Sequence, residues 1–369
     1  MLKGTRNDKN IFDELTGIRA IAAYMVYFHH NNMFSEEKFG TFLHNLVNEM
    51  HIGVTVFFVL SGFLICYRYY DNINLKDLKW IVRYIQNRVA RIYPMYFIMT
   101  TITFLIIFFK TDELMKDIGL YFMHITFLRG FFKTIAYTGI GQGWTLTVEE
   151  CFYFSAPLIF LLSKKVKLIV PFLFIFLFGV MLVMVFREID FYGFFINFKF
   201  MLSYTFFGRW FEFFTGIMLA LLYKNKTNYQ LSQYTFYTYT GALWILLCLT
   251  LLVFVKGKEQ FGVFTWYGII INNMLLPFGI AFLFLGLIQE NTIVKRILAS
   301  KLFVLLGKSS YTFYLIHMSF ISYWVDSLTG NTLLSFVLIN IISILLFKFI
   351  EEPSNLLIRN IKLTKDLLK

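Results

Sequence analysis

An all-α, polytopic integral membrane bundle is the fold class that this sequence predicts, on three observations. The 369 residues are 58% hydrophobic and only 15% charged, with mean hydropathy +0.65; a soluble domain is about half apolar and about a quarter charged. The apolar residues gather into runs near the length of about 20 that lets an α-helix cross the bilayer. None of these runs shows the alternation of a β-barrel strand, and a segment in lipid must satisfy its own backbone hydrogen bonds, which selects helices.

The runs fall at residues 18–34, 52–70, 92–109, 144–162, 168–186, 203–223, 236–255, 263–288, 302–324 and 332–350, which makes about ten transmembrane helices. Polar residues precede the first run and no small-residue cleavage site follows it, so it reads as an uncleaved span and not a signal peptide. In the second, "FFVLSGFLI", Ser61 and Gly62 suit close helix packing; the G-x-S-x-G nucleophile elbow is absent. The third follows the basic segment 76–91. The longest external loop, 110–143, has room for a short re-entrant or interfacial helix. The fourth run is entered through Trp144, Glu149 and Glu150, and the fifth follows Lys164, Lys165 and Lys167. The sixth carries Arg209 and Glu212, whose i,i+3 spacing lets them pair. The ninth contains Lys308 and His317, and the tenth closes on Lys348, Glu351 and Pro353.

Loop charge orients the chain. With the N-terminus in the cytoplasm, that side collects about 20 Lys/Arg against about 9 on the other, which places both termini inside. Lys3, Arg6, Lys9, Lys224, Lys226, Lys295, Arg296 and Lys301 fall there. So does the sequon Asn225-Lys226-Thr227, which is therefore read as chance. The net charge of +12 belongs to these loops; no basic block with interleaved aromatics marks a nucleic-acid surface. Cys66, Cys151 and Cys248 stand alone inside apolar runs, without disulfide or metal spacing. His44, His51 and His124 likewise match no metal-ligand pattern. The sequence reads as one domain over residues 1–369, with no fused soluble domain and no metal site.

Polar groups inside spans carry the functional signal, since each costs about 2.5–3.5 kcal/mol at mid-membrane unless it faces a cavity or a partner. In "GIRAIAAYMVYFHH", Arg19 and His30 are eleven positions apart. At about 100° per residue that returns to within about 20° of the same helix face, about 16 Å further along the axis. A snorkelling arginine and a headgroup-level histidine would give the same pattern. In "NRVARIYPMYF", Arg88 and Arg91 are neighbours on one helix face, fit to hold a phosphate or diphosphate or simply to anchor the span. Glu149 has no basic neighbour in sequence and needs a distant partner or substrate hydroxyls.

Taken together, "LTGIRAIAAYMVYFHH", "GVTVFFVLSGFLI", "NRVARIYPMYF", "WTLTVEECFYF", "GKSSYTFYLIH" and "KFIEEP" resemble the membrane-bound acyltransferase family 3, in order, from about residue 11 to about residue 355. Bacterial members of that family O-acylate sugars. The resemblance implies an acyl-CoA-dependent O-acyltransferase in the bacterial cytoplasmic membrane, with acetyl-CoA as the default donor and no permanently bound cofactor. Its acceptor would be a hydroxyl of a glycan or lipid-linked saccharide, such as a polysaccharide or lipopolysaccharide of the cell envelope. The family's Arg-x10-His signature falls on Arg19 and His30 and its RxxR signature on Arg88 and Arg91. Its Trp-to-Glu motif falls on Trp144 and Glu149, its late histidine on His317, and its closing motif on Lys348, Glu351 and Pro353. Thr16, Thr55 and Cys151 depart from the family's usual aspartate, aspartate and glutamine.

On this reading Arg88 and Arg91 bind CoA phosphates, and Arg19 orients the donor or stabilises charge deeper in. His30 acts as general base on the acceptor hydroxyl, and Glu149 orients His30 or holds acceptor hydroxyls. His29 is the rival base, set about 100° round the helix from His30. The competing class is a glycan transporter or flippase, which ten spans with intramembrane charge fit as well on physics alone.

Overall fold

The structure is a computed structural model that describes residues 12–111, 118–189, 191–225 and 235–361. Lys3, Arg6, Lys9 and Lys226, the threonine of the sequon and part of the 110–143 loop lie outside the described residues. The chain forms α1 (Asp13–His30), α2 (Gly53–Tyr69), α3 (Leu78–Thr111), α4 (Ile118–Ile125), α5 (Trp144–Ser163), α6 (Ile169–Phe186) and α7 (Phe206–Asn225). There follow α8 (Phe236–Val255), α9 (Leu276–Gln289), α10 (Lys301–Ile316), α11 (Phe320–Thr329), α12 (Thr332–Leu346) and α13 (Glu352–Asn360). Among the described residues there is no strand, only one isolated bridge between Phe132 and Phe194.

Eight helical stretches among the described residues are long and apolar enough to cross a membrane, against the ten spans expected. The other two expectations fall on α1 and α10. The α1 helix carries Asp13, Glu14 and Arg19, too many charges to face lipid. It is instead wrapped by protein: Leu15, Ala20, Ala23, Val26 and Tyr27 are all buried. The expected span 302–324 is broken, because the chain turns at His317–Ser319 between α10 and α11. The third span, expected from residue 92, begins at Leu78 and runs for 34 residues, which places Arg88 and Arg91 inside a continuous helix.

Close helix contact sets the centre of the bundle. A Cβ on Gly307 would lie 1.8 Å from the carbonyl oxygen of Thr16, so α10 seats directly on α1. A Cβ on Gly62 would meet the Phe213 carbonyl at 2.4 Å, and one on Gly216 the Val59 carbonyl at 2.1 Å, which locks α2 to α7. Small residues at such crossings bring backbones together where lipid supplies no hydrophobic drive. The outer helices α6, α8 and α12 show apolar side chains such as Phe174, Leu243 and Leu345 on the surface, as lipid-facing helices do.

Pro94 and Pro157 sit in the interiors of α3 and α5, and each freed carbonyl finds a side-chain donor. Pro94 in α3 removes the bond to Ala90, whose carbonyl instead accepts from Asn355 Nδ2 at 2.9 Å. Pro157 in α5 likewise frees Tyr153, whose carbonyl accepts from the Tyr84 hydroxyl at 2.7 Å. This re-satisfaction is what allows proline in a transmembrane helix.

Contacts gather basic residues at one end of the bundle. Lys224 Nζ is 2.6 Å from Asp71 Oδ2, Lys164 lies over the Tyr70 ring, and Arg83 donates to the Arg359 carbonyl at 2.9 Å. The helix α1 runs away from this end towards His29 and His30.

Candidate active site

Two cavities lie along the bundle interior. The larger, about 400 Å³, opens near the basic end and is walled by α1, α2, α3, α5, α10 and α13. The smaller, about 210 Å³, lies near the C-terminal end of α1. Val54 and Tyr314 line both, so a wall one side chain thick separates them. Tyr314 is fixed there by a 3.0 Å hydrogen bond between its hydroxyl and Thr145 Oγ1, and Thr145 in turn donates to the Gln142 carbonyl at 2.8 Å.

Five arginines line the larger cavity: Arg19, Arg68, Arg88, Arg91 and Arg359. Glu149 is the one carboxylate on its lining among the described residues, and Glu351 reaches Arg91 across 3.8 Å. Arg88 is cradled by aromatic faces, with its guanidinium 5.5 Å from the Tyr69 ring centre and 5.4 Å from that of Tyr153, and it donates to the Tyr69 hydroxyl at 3.3 Å. Arg19, Arg88 and Arg359 each bury an Nε, and Arg91 an Nη2, that meets no acceptor among the described residues. Glu149 Oε1 accepts from Ser61 Oγ at 2.6 Å and from the Tyr153 hydroxyl. Ser61 therefore serves this carboxylate, whereas Gly62 alone makes the close helix contact expected of the pair.

The smaller cavity is lined by His29, His30, His51 and Trp144. His30, the last residue of α1, is exposed there. His29 is held through Nδ1 to the Asn48 carbonyl; a carbonyl can only accept, so that nitrogen carries a proton. His51 pairs with the buried Glu49 at 3.1 Å. Because the cavity wraps the end of α1, both His29 and His30 reach it, and the angular separation along the helix does not divide them. His317 packs behind His30, with ring centres 5.6 Å apart. Its Nδ1 donates to the Tyr314 carbonyl at 2.7 Å, which leaves Nε2 buried and without a partner among the described residues.

Other expected groups lie elsewhere. Glu149 and His30 are in different cavities, so Glu149 does not orient the histidine; the Ser61 and Tyr153 hydroxyls hold it in the arginine cavity instead. Lys348 is exposed and does not pair with Glu351, which accepts from Thr312 Oγ1 at 2.6 Å and faces Arg91. The break in helix geometry at the π-turn Phe347–Glu351, just before Pro353, separates the two side chains. Lys308 is exposed and His317 buried, so they do not pair either. Arg209 and Glu212 form a buried ion pair, Nε to Oε2 at 2.8 Å, with Thr55 Oγ1 at 3.0 Å and the Ser203 carbonyl at 3.1 Å completing the arginine. Thr55 is thus the uncharged partner of a pair that already balances. Arg68, Arg359, Ser61, Tyr153 and Tyr314 are additions that no local motif signalled; only the fold brings them to the cavities.

A helical, multi-pass membrane protein with an arginine-lined internal cavity is the class that these features define. A family model described as an acyltransferase domain matches residues 12–350, and the chain belongs to the membrane-bound acyltransferase family 3. A protein of Acidianus two-tailed virus that carries the provisional name acetyltransferase is 26% identical over 323 residues, 86% of each chain. An acyltransferase of Streptomyces mycarofaciens is 28% identical over 168 residues, 41% of this chain and 40% of its own. A protein of Staphylococcus aureus provisionally named O-acetyltransferase is 26% identical over 370 residues, 92% of this chain but 56% of its own length. This chain therefore spans little more than half of the Staphylococcus relative. No solved structure matches it.

Proposed function

We propose that this membrane acyltransferase is an O-acyltransferase that takes an acyl group, acetyl by default, from cytoplasmic acyl-CoA and delivers it to a hydroxyl of a glycan or lipid-linked saccharide. The observation that carries this reading is the arginine cavity. Five guanidiniums, four of them with a buried N–H that meets no acceptor among the described residues, suit a polyanion, because an unsatisfied buried donor costs about 1–3 kcal/mol. Acyl-CoA is a polyanion with a long uncharged arm ending in a thioester. With its phosphates at Arg88 and Arg91, that arm points along the cavity past Arg19 towards Tyr314.

The acceptor hydroxyl enters the histidine cavity on the other side of the Val54–Tyr314 wall. When the Tyr314 side chain swings out of the wall, the oxygen attacks the thioester carbonyl and His30 takes the hydroxyl proton. The carbon–sulfur bond then breaks, CoA leaves as a thiolate that takes up a proton from its surroundings, and the ester is formed. His30 returns its proton to solvent. Glu149, held by Ser61 and Tyr153, sets the field beside Arg19 on the donor side.

The test uses the purified chain in lipid nanodiscs, radiolabelled acetyl-CoA and a bacterial envelope-glycan extract. Arg88→Ala should weaken CoA binding by about tenfold to a hundredfold, the value of one charge-assisted contact. His30→Ala should lower turnover by about 10²–10⁴-fold while leaving CoA binding in place. Normal turnover in His30→Ala excludes it as the base. Glycan movement across vesicles without label transfer would instead identify a transporter.

A further inference from the structure

The arginine cavity holds more cationic groups than one diphosphate needs, and the two left over stand together at its mouth. Arg68 and Arg359 each lie one residue before the C-terminal end of a helix, α2 and α13 respectively. Arg68 is exposed and Arg359 is half-buried. Both line the same cavity as Arg88 and Arg91, and Arg359 is within electrostatic reach of all three other guanidiniums. Like charges gather this closely at a cost, which an anion between them offsets.

The placement of Arg359 is built. The last turn of α13 is strapped across α3 by side chains that satisfy its terminal carbonyls: Arg83 donates to the Arg359 carbonyl at 2.9 Å, and Gln86 Nε2 to those of Ile358 and Ile361 at 2.5 and 2.8 Å. Asn355 fixes the first half of α13 through the carbonyl that Pro94 frees. With the backbone held, the Arg359 side chain projects into the cavity mouth, and its buried Nε finds no acceptor among the described residues. No carboxylate pairs with Arg68 or Arg359 among the described residues, whereas Arg91 has Glu351.

We propose that Arg68 and Arg359 form an outer subsite for a phosphate monoester, the 3′-phosphate of the CoA ribose, separate from the diphosphate position at Arg88 and Arg91. This rests on the acyl-CoA reading above and extends it to a preference for the 3′-phosphorylated donor. The chemistry fits: a monoester dianion offers three oxygens to two guanidinium forks, and its place on the ribose keeps it at the nucleotide end, nearest the mouth, while the pantetheine arm runs inward.

The experiment measures binding of CoA and of 3′-dephospho-CoA to the full chain in nanodiscs by calorimetry, for wild type, Arg359→Gln and Arg68→Ala. Wild type should bind CoA about tenfold or more tighter than 3′-dephospho-CoA. Both variants should lose most of that preference by weakening CoA alone, with 3′-dephospho-CoA affinity unchanged. Arg68→Ala changes an exposed helix end, so it reports even where Arg359→Gln lowers the yield of folded protein. Equal wild-type affinity for the two ligands, or a preference retained in the variants, overturns the subsite and leaves the acyl-CoA reading standing. Wild-type protein that binds neither ligand overturns both.

Discussion

Replacing Tyr314 by alanine should open the wall between the two cavities, and its consequences follow from the geometry. The side chain is buried at 6% exposure and lines both cavities, about 400 and about 210 Å³. Truncating a buried aromatic side chain costs about 3–5 kcal/mol, so Tyr314→Ala should be clearly less stable, and folded protein must be confirmed first. In the folded fraction the two cavities merge and water reaches the thioester from the histidine side. Acetyl-CoA hydrolysis without acceptor should then rise, and transfer to glycan should fall by about tenfold for every 1.4 kcal/mol lost from ordered approach. Tyr314→Phe keeps the wall and loses one hydrogen bond, worth about 1 kcal/mol; Thr145 still donates to the Gln142 carbonyl. Its ratio of hydrolysis to transfer should stay near wild type. The assay follows free thiol and labelled glycan in parallel. An unchanged ratio in folded Tyr314→Ala would refute the claim that donor and acceptor meet at this wall.

Further outcomes follow from packing. Asn355→Ala strands the Ala90 carbonyl that Pro94 frees, so thermal unfolding should show a loss of about 1–3 kcal/mol. Glu212→Gln leaves Arg209 buried without its counter-charge, and a cost of about 3–5 kcal/mol should appear as a collapse in folded yield. Gly307→Ala drives a methyl into the Thr16 carbonyl; overpacking of about 1–3 kcal/mol or more should separate α10 from α1, read as loss of monodisperse protein on size-exclusion chromatography.

Most of the helices were legible because hydropathy is a local, additive property, and a run of apolar residues signals a span wherever it ends up. The exceptions have physical causes. The α3 helix starts fourteen residues before its apolar run because its polar first half lies at the basic end, where hydropathy gives no cue. The break at His317 is a turn inside an apolar stretch, invisible to composition. Helical spacing put Arg19 and His30 on one stripe, but Val54 and Tyr314, from two other helices, divide that stripe between two cavities. Partners such as Ser61 and Glu149, 88 residues apart, or Gln86 and Ile358, 272 apart, are products of tertiary packing. Arg88 and Arg91 read equally as span anchors until the cavity is seen, and Arg68 and Arg359 give no signal until α13 is seen folded back over α3.

The central claim is that an acyl group passes from a donor in the arginine cavity to an acceptor in the histidine cavity, and hence from one face of the membrane to the other. Sealed vesicles bearing the protein in one orientation, with labelled acetyl-CoA enclosed on the Arg88 side and envelope glycan only on the His30 side, measure this directly. Labelled glycan should accumulate with wild type and not with His30→Ala. Label transfer that occurs only when donor and glycan share one side would contradict the claim.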